Sequence, residues 1–198
     1  MAKLYFRHAV MNSGKSLALL QVNHNYTSID EKTLLFSHAL DTRFGTNVIA
    51  SRLGVHSDST SVTPELNLFD HVKKIVDSGE ELICILCDEV QFYTEEQIEQ
   101  LSDIADFLDI IVICYGLKIS AFGELFPASK RLLELADKIE ELTHVCWCTK
   151  KANMILKYDE NGVVQKSGQL VEIGVESKYS SVCRKHWKLG LYKKPQSK

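Results

Sequence analysis

Residues 9 to 16 read AVMNSGKS and keep seven of the eight positions of the pattern G-x-x-x-x-G-K-[ST], in which backbone N–H groups curl around phosphate oxygens. Gly14 permits close backbone approach, Lys15 supplies a cation, and the Ser16 hydroxyl can face magnesium. Ala9 stands where the pattern has its first glycine. That position makes the turn furthest from the terminal phosphates, and alanine serves there if its φ is negative. The plainer reading is a glycine-lysine helix start that holds no phosphate.

A second group is Asp88-Glu89, directly after the apolar run LICILC. Two carboxylates at the end of a buried strand make sense at the carboxyl edge of a parallel sheet, where open α/β folds bind ligands. There Asp88 would hold magnesium, directly or through water, and Glu89 would take a proton from an attacking oxygen. An exposed acidic helix start is the plainer alternative.

The third group is Cys146-x-Cys148 with Cys183-x-x-His186. Three thiolates and one imidazole complete a closed tetrahedral zinc set, structural because no position stays open. Free thiols beside a surface histidine would be the plainer reading. The other cysteines, Cys84, Cys87 and Cys114, lie inside the apolar runs ICILC and IVICY. A strand turns residues i and i+3 to opposite faces, so Cys84 and Cys87 cannot share a metal and are expected in the core. His8, His24, His38, His56, His71 and His144 show no paired spacing.

Positioning these groups requires strands that alternate with helices. Apolar runs at KLYFRHA, KTLLFSH, ELICILC and DIIVICYG are separated by the helical patterns KSLALLQVNHNY, FDHVKKIVDSG and TEEQIEQLSDIADFL. That order predicts repeated strand-helix units around a mostly parallel sheet. Thr94 with Gln97 reads as a capping box. Residues 41 to 65 show no sustained period and read as a long functional loop.

Composition changes near residue 143, which divides the chain into an α/β core over 1–143, a small zinc subdomain over 144–192 and a flexible tail over 193–198. DENG at 159–162 reads as a hairpin turn and QLVEIG as a further strand. So small an appendage profits from a metal staple.

The 198 residues are 45% hydrophobic and 25% charged, with a formal net charge of −3, which fits a soluble globular protein with one ordinary core. No apolar run reaches the roughly 20 residues of a membrane span, and no signal peptide is evident. A cytoplasmic protein with reduced thiols is expected. Basic residues form no stripe outside the short tail, so duplex nucleic acid is a poor principal partner.

Taken together, MNSGKS, DTRFG, DEVQF, CYGL followed by GELF, the CWC pair and YSSVCRKH resemble the type II, zinc-containing thymidine kinases over nearly the whole chain. The resemblance implies a RecA-like core that binds ATP with Mg2+, and a structural Zn2+ subdomain with a lasso-like loop, here residues 168–182, over the nucleoside. It implies that Glu89 is the catalytic base in transferring the ATP γ-phosphate to the 5′-hydroxyl of thymidine, with deoxyuridine a secondary substrate. On the ATP side it places Ala9, Val10, Met11, Asn12, Ser13, Gly14, Lys15, Ser16, Asp88, Glu89, Val90 and Gln91, with Asp41 and Arg43 approaching the phosphates. On the nucleoside side it places Met11, Phe92, Leu117, Phe122, Phe126, Ile173, Val175 and Tyr179.

A homotetramer and feedback inhibition by dTTP are further expectations of the resemblance. The chain departs from the family pattern at Ser120-Ala121, where many relatives carry Asp-Phe, and at Gly174-Val175, where Gly-Gly is common. Both departures lie at the nucleoside end. The rival readings are a P-loop ATPase of the recombinase-like type acting on nucleic acid, and a zinc-stapled adaptor without catalysis.

Overall fold

The computed structural model describes residues 1–39, 47–167 and 179–195. Its centre is a six-stranded sheet built from β1 (Leu4–Ala9), β2 (Thr33–His38), β5 (Thr60–Val62), β6 (Cys84–Cys87), β7 (Ile111–Leu117) and β8 (Lys138–Glu141). The strands run in the order β5-β2-β6-β7-β1-β8, and every pairing is parallel. Parallel neighbours need crossovers, which the helical patterns supply.

Helices cover both faces. Leu19 and Leu20 of α1 (Lys15–Thr27) pack with Leu35, Cys84, Leu86, Ile113 and Tyr115 on one side. On the other, α2 (Leu68–Asp77), α3 (Glu95–Phe107) and α4 (Pro127–Leu135) pack against Phe6, Phe36, Ile85, Cys87, Val112 and Cys114. Cys84 and Cys87 therefore face opposite layers, as strand geometry requires. Burial pushes the Cys84 thiol up to about 12 and raises that of Cys87 as well, so both stay protonated and inert. Helix α3 begins at the expected capping box, with Thr94 Oγ1 accepting from the Gln97 N–H and Gln97 Oε1 accepting from the Thr94 N–H.

The stretch read as a periodless loop holds more structure than its pattern suggests. Residues β3 (Val48–Ala50) and β4 (His56–Asp58) form an antiparallel hairpin, and β5 adds an edge strand beside β2. Each has only three residues, too few for alternation to show. Strand β8 also escaped the pattern, because all four residues of KIEE are exposed and nothing apolar alternates.

Beyond β8 the chain forms a small antiparallel sheet, β10-β9-β11, from β9 (Met154–Tyr158), β10 (Val164–Gln165) and β11 (Tyr179–Val182), followed by α5 (Arg184–Leu189). The expected hairpin is there. The Asp159 carboxylate accepts from the N–H groups of Asn161 and Val163, and Gly162 takes φ 79°. This sheet shares one apolar cluster with the large one, joining Ile155, Leu156 and Val182 to Val10, Leu117 and Phe126.

Candidate active site and metal centre

Three strand ends converge at the carboxyl edge of the large sheet. Strand β1 ends at Ala9 and its chain turns through residues 10–14 into α1. Ala9 does not take a positive φ, whereas Asn12 and Gly14 do, at 61° and 82°. The conformational demand thus falls at the far end of the loop, which answers how the first glycine can be replaced. A Cβ on Gly14 would meet nothing within 4 Å, so glycine is needed there for its φ and not for space.

Lys15 is only 7% exposed. Its Nζ lies 3.3 Å from the Val10 carbonyl, which also accepts from Ser13 Oγ at 2.8 Å. The lysine is therefore folded across its own loop, where incoming phosphate oxygens can exchange for one carbonyl.

Strand β6 delivers Asp88 opposite the start of α1. Ser16 Oγ donates to Asp88 Oδ2 at 2.7 Å, while Asp88 Oδ1 accepts from the Glu89 N–H at 2.9 Å. Asp88 is 4% exposed. Burial and the neighbouring Glu89 push its carboxyl up to about 7, against the opposing pull of Ser16 and Lys15. A buried carboxylate held up in this way, with a hydroxyl at hydrogen-bond distance and a lysine nearby, is an oxygen donor set suited to a hard cation.

Glu89 takes a left-handed φ of 51° and opens a short 3-10 turn, Val90–Phe92. This non-glycine strain turns the chain sharply at the strand end. Gln91 Nε2 donates to Glu89 Oε2 at 2.6 Å. Asn12, Ser13, Gly14, Lys15, Ser16 and Glu89 share a cleft of ≈ 220 Å³ with Ala50, Ser51, Arg52 and Leu53 from the β3–β4 hairpin. These hairpin residues were missed in the sequence. The only signal was a single arginine, Arg52, between Ser51 and Leu53 in a stretch with no period.

The ATP-side residues do not all present side chains to this cleft. Val90 is fully buried in the core, and both ends of the Gln91 amide are engaged within the protein. On the nucleoside side, Met11, Leu117, Phe126 and Tyr179 belong to one apolar cluster, and Phe92 meets Phe126 edge-on with ring centroids 6.3 Å apart. Phe122 lines a separate cleft of ≈ 260 Å³ with Ala121, Leu156, Val164 and Trp187. Asp41, Arg43, Ile173 and Val175, with most of the 168–182 loop, lie outside the described residues. Ser181, which lies within YSSVCRKH but was given no role of its own in the sequence, donates from Oγ to the Met11 carbonyl at 2.8 Å and so ties β11 to the phosphate loop.

The cysteine and histidine set is assembled as its spacing suggested. Cys146 and Cys148 sit on a tight turn, in which the N–H groups of Cys146 and Thr149 donate to the carbonyls of Lys150 and Cys146. Cys183 caps α5 and His186 follows one turn on. All four ligand atoms lie within 4.8 Å of one another. His186 Nδ1 is 3.3 Å from Cys146 Sγ and 3.5 Å from Cys183 Sγ, and the Cys148 and Cys183 sulfurs are 3.9 Å apart. A tetrahedral zinc with ordinary bond lengths has S···S edges of about 3.8 Å and S···N edges of about 3.5 Å. The set fits that ion, and Trp147 stacks on the His186 ring at 3.9 Å to fix its plane.

Fold and site together define an α/β protein of the phosphate-loop class with a Cys3His appendage able to hold zinc. The thymidine kinase family profile matches residues 2–187. The chain is 46% identical over 188 residues to a thymidine kinase of Mannheimia succiniciproducens, covering 95% of this chain and 96% of that one. It is 45% identical over 188 residues to one of Haemophilus influenzae, covering 95% and 97%. With one of Aliivibrio fischeri the identity is 44% over 193 residues, covering 98% and 100%. The chain belongs to the thymidine kinase family.

Proposed function

We propose that this protein transfers the γ-phosphate of ATP to the 5′-hydroxyl of thymidine, giving dTMP and ADP. The observation that carries the reading is the meeting of the phosphate loop, the Asp88-Glu89 strand end and the apolar wall of Met11, Leu117 and Phe126 at one sheet edge. Family membership favours the kinase over a recombinase-like ATPase, and the apolar wall beside the acidic pair suits a nucleoside acceptor better than water alone.

In this reading the loop N–H groups and Lys15 bind the ATP phosphates, and Arg52 approaches them from the β3–β4 hairpin. Ser16 and Asp88 would hold Mg2+, which when bound neutralises phosphate charge and orients the transferring group. Glu89 accepts the 5′-hydroxyl proton as the oxygen attacks. Met11, Phe92, Leu117 and Tyr179 wall the thymine ring, and the 168–182 loop covers it with main-chain groups. Asp41 and Arg43 complete the phosphate side.

No helix among the described residues is long and apolar enough to cross a membrane. A cytoplasmic homotetramer inhibited by dTTP belongs to the same proposal, as does a zinc that keeps the appendage folded. The deciding experiment is Glu89→Gln. Turnover should fall by roughly 10² to 10⁴ with ATP affinity nearly constant, as for loss of a general base. Normal turnover would place the base elsewhere. Thymidine-dependent ADP release, set against release without nucleoside, separates the kinase from an ATPase.

A further inference from the structure

We propose that Gln91 is a positioning residue that orients the Glu89 carboxylate by bracing it against the end of β7. The inference rests on the reading of Glu89 as the base. Its evidence is a chain of hydrogen bonds whose directions are forced. The Leu117 N–H can only donate, and it lies 2.9 Å from Gln91 Oε1. The amide orientation is thereby settled, and Nε2 points at Glu89 Oε2, 2.6 Å away. An NH2 group can only donate, so that carboxylate oxygen is the acceptor.

The brace is anchored at its far end. Ser129 Oγ, on α4, donates to the Leu117 carbonyl at 2.6 Å. Ser129 is fully buried, and Gln91 is 3% exposed. Solvent therefore does not compete for these bonds, and their geometry is held by a helix and a strand. Leu117 also belongs to the apolar wall at the nucleoside side. One residue, held through both its flanking peptide groups, thus carries the wall and, through Gln91, braces the base, which sets the distance between the two.

Gly116 supports the same conclusion from the opposite direction. It lies in β7, paired with His8, and does not take a positive φ, so its backbone does not demand glycine. A Cβ there would stand 2.7 Å from Gln91 Oε1 and 2.8 Å from Val90 Cγ2. The missing side chain makes room for the amide and for the neighbouring Val90. Glu89, in its left-handed conformation, gains from Gln91 a directional constraint that strand pairing cannot provide.

The test compares Gln91→Met, which keeps length and apolar bulk but removes both polar ends, with Gly116→Ala, which displaces the amide and removes no polar group. Each should lower kcat roughly 10- to 100-fold, the scale expected for a misplaced reacting group, with the KM for ATP within about twofold. In a double variant, Gln91→Met should add little to the loss from Glu89→Gln, because residues acting as one unit are not additive. A Gln91→Met enzyme with wild-type kcat overturns the inference. So does a full additional loss in the double variant, or a parallel fall in kcat, ATP affinity and melting temperature in Gln91→Met, which would mark Gln91 as structural only. If Glu89→Gln itself keeps normal turnover, the assignment of the base fails instead, and the two failures are told apart.

Discussion

Ser16 and Asp88, 72 positions apart in sequence, are joined by a 2.7 Å hydrogen bond across the mouth of the phosphate loop. The first turn of α1 and the end of β6 are thereby tied together. The bond also gives the buried Asp88 a side-chain donor, which joins Lys15 and the Glu89 N–H in favouring its charged form against burial.

Asp88 makes stability depend on pH. A carboxyl raised from 3.8 to about 7 by burial and by Glu89 binds more protons in the folded than in the unfolded state between those values. Its favourable contribution is complete below the unfolded value and is lost as pH rises through about 7. In protein freed of divalent cations this contribution favours about pH 5 over about pH 8, against the opposite pull of His8 and His71, whose imidazoles burial holds below their usual range. Asp88→Asn should remove its part of the pH slope, the variant's advantage over wild type growing with pH. Each pKa unit corresponds to about 1.4 kcal/mol, so scanning calorimetry can resolve the effect, and an unchanged slope would refute it. Excess magnesium should raise the wild-type melting temperature at about pH 8 and leave the variant almost unmoved.

Lys15 and Arg52 line the same cleft from different elements and should fail differently. Lys15→Ala is expected to abolish measurable turnover while circular dichroism stays native, since the Val10 carbonyl keeps the Ser13 hydroxyl as a partner. Arg52→Ala, on the hairpin, should raise the KM for ATP roughly 10- to 100-fold and leave kcat within about threefold, consistent with one charge-assisted hydrogen bond of roughly 1.5–3 kcal/mol. Wild-type turnover by Lys15→Ala would remove the loop from the chemistry.

One zinc per chain is expected by metal analysis. Cys183→Ser should lose most of it, because Cys183 is both a ligand and the cap residue of α5. Chelation should loosen the three-stranded sheet before the six-stranded one, visible as early proteolysis beyond residue 143. Full zinc content in Cys183→Ser would exclude the assigned set.

Tyr179 lies at the start of β11, paired with Lys157 of β9. Tyr179→Ala should raise the KM for thymidine by about one to two orders of magnitude, since stacking on a base contributes roughly 1–3 kcal/mol. Deoxyadenosine and deoxyguanosine should be poor substrates if, as proposed, the 168–182 loop closes around a single pyrimidine ring. An unchanged KM, or efficient purine phosphorylation, would show that the changes at Ala121 and Val175 have rebuilt the pocket.

The large sheet was legible because its inner strands are buried on both faces and so appear as near-continuous apolar runs, ELICILC and DIIVICYG. The Cys3His set was legible because metal ligands must be of particular residue types. The β3–β4 hairpin was not, since strands of three residues carry no period, and its contribution to the cleft comes from Ser51 and Arg52 through tertiary placement alone. Nor could residue types reveal that Val90 turns into the core or that Gln91 faces Glu89. Both follow from the left-handed backbone of Glu89, a conformation that its side chain does nothing to advertise.

The bond from Ser181 to the Met11 carbonyl has a consequence for vulnerability to oxidants. Ser181 lies two residues before Cys183, so the thiolate cluster, β11 and the phosphate loop form one mechanical train. An enzyme that uses no cysteine in its chemistry would still be poisoned by peroxide or by thiol-reactive metals, through loss of the seat on which its nucleoside rests. The injury should appear first as a weaker hold on thymidine and only later as a slower turnover, and saturating nucleoside should mask its early phase. Peroxide titration followed through KM and kcat would show that order, and simultaneous loss of both would break the train.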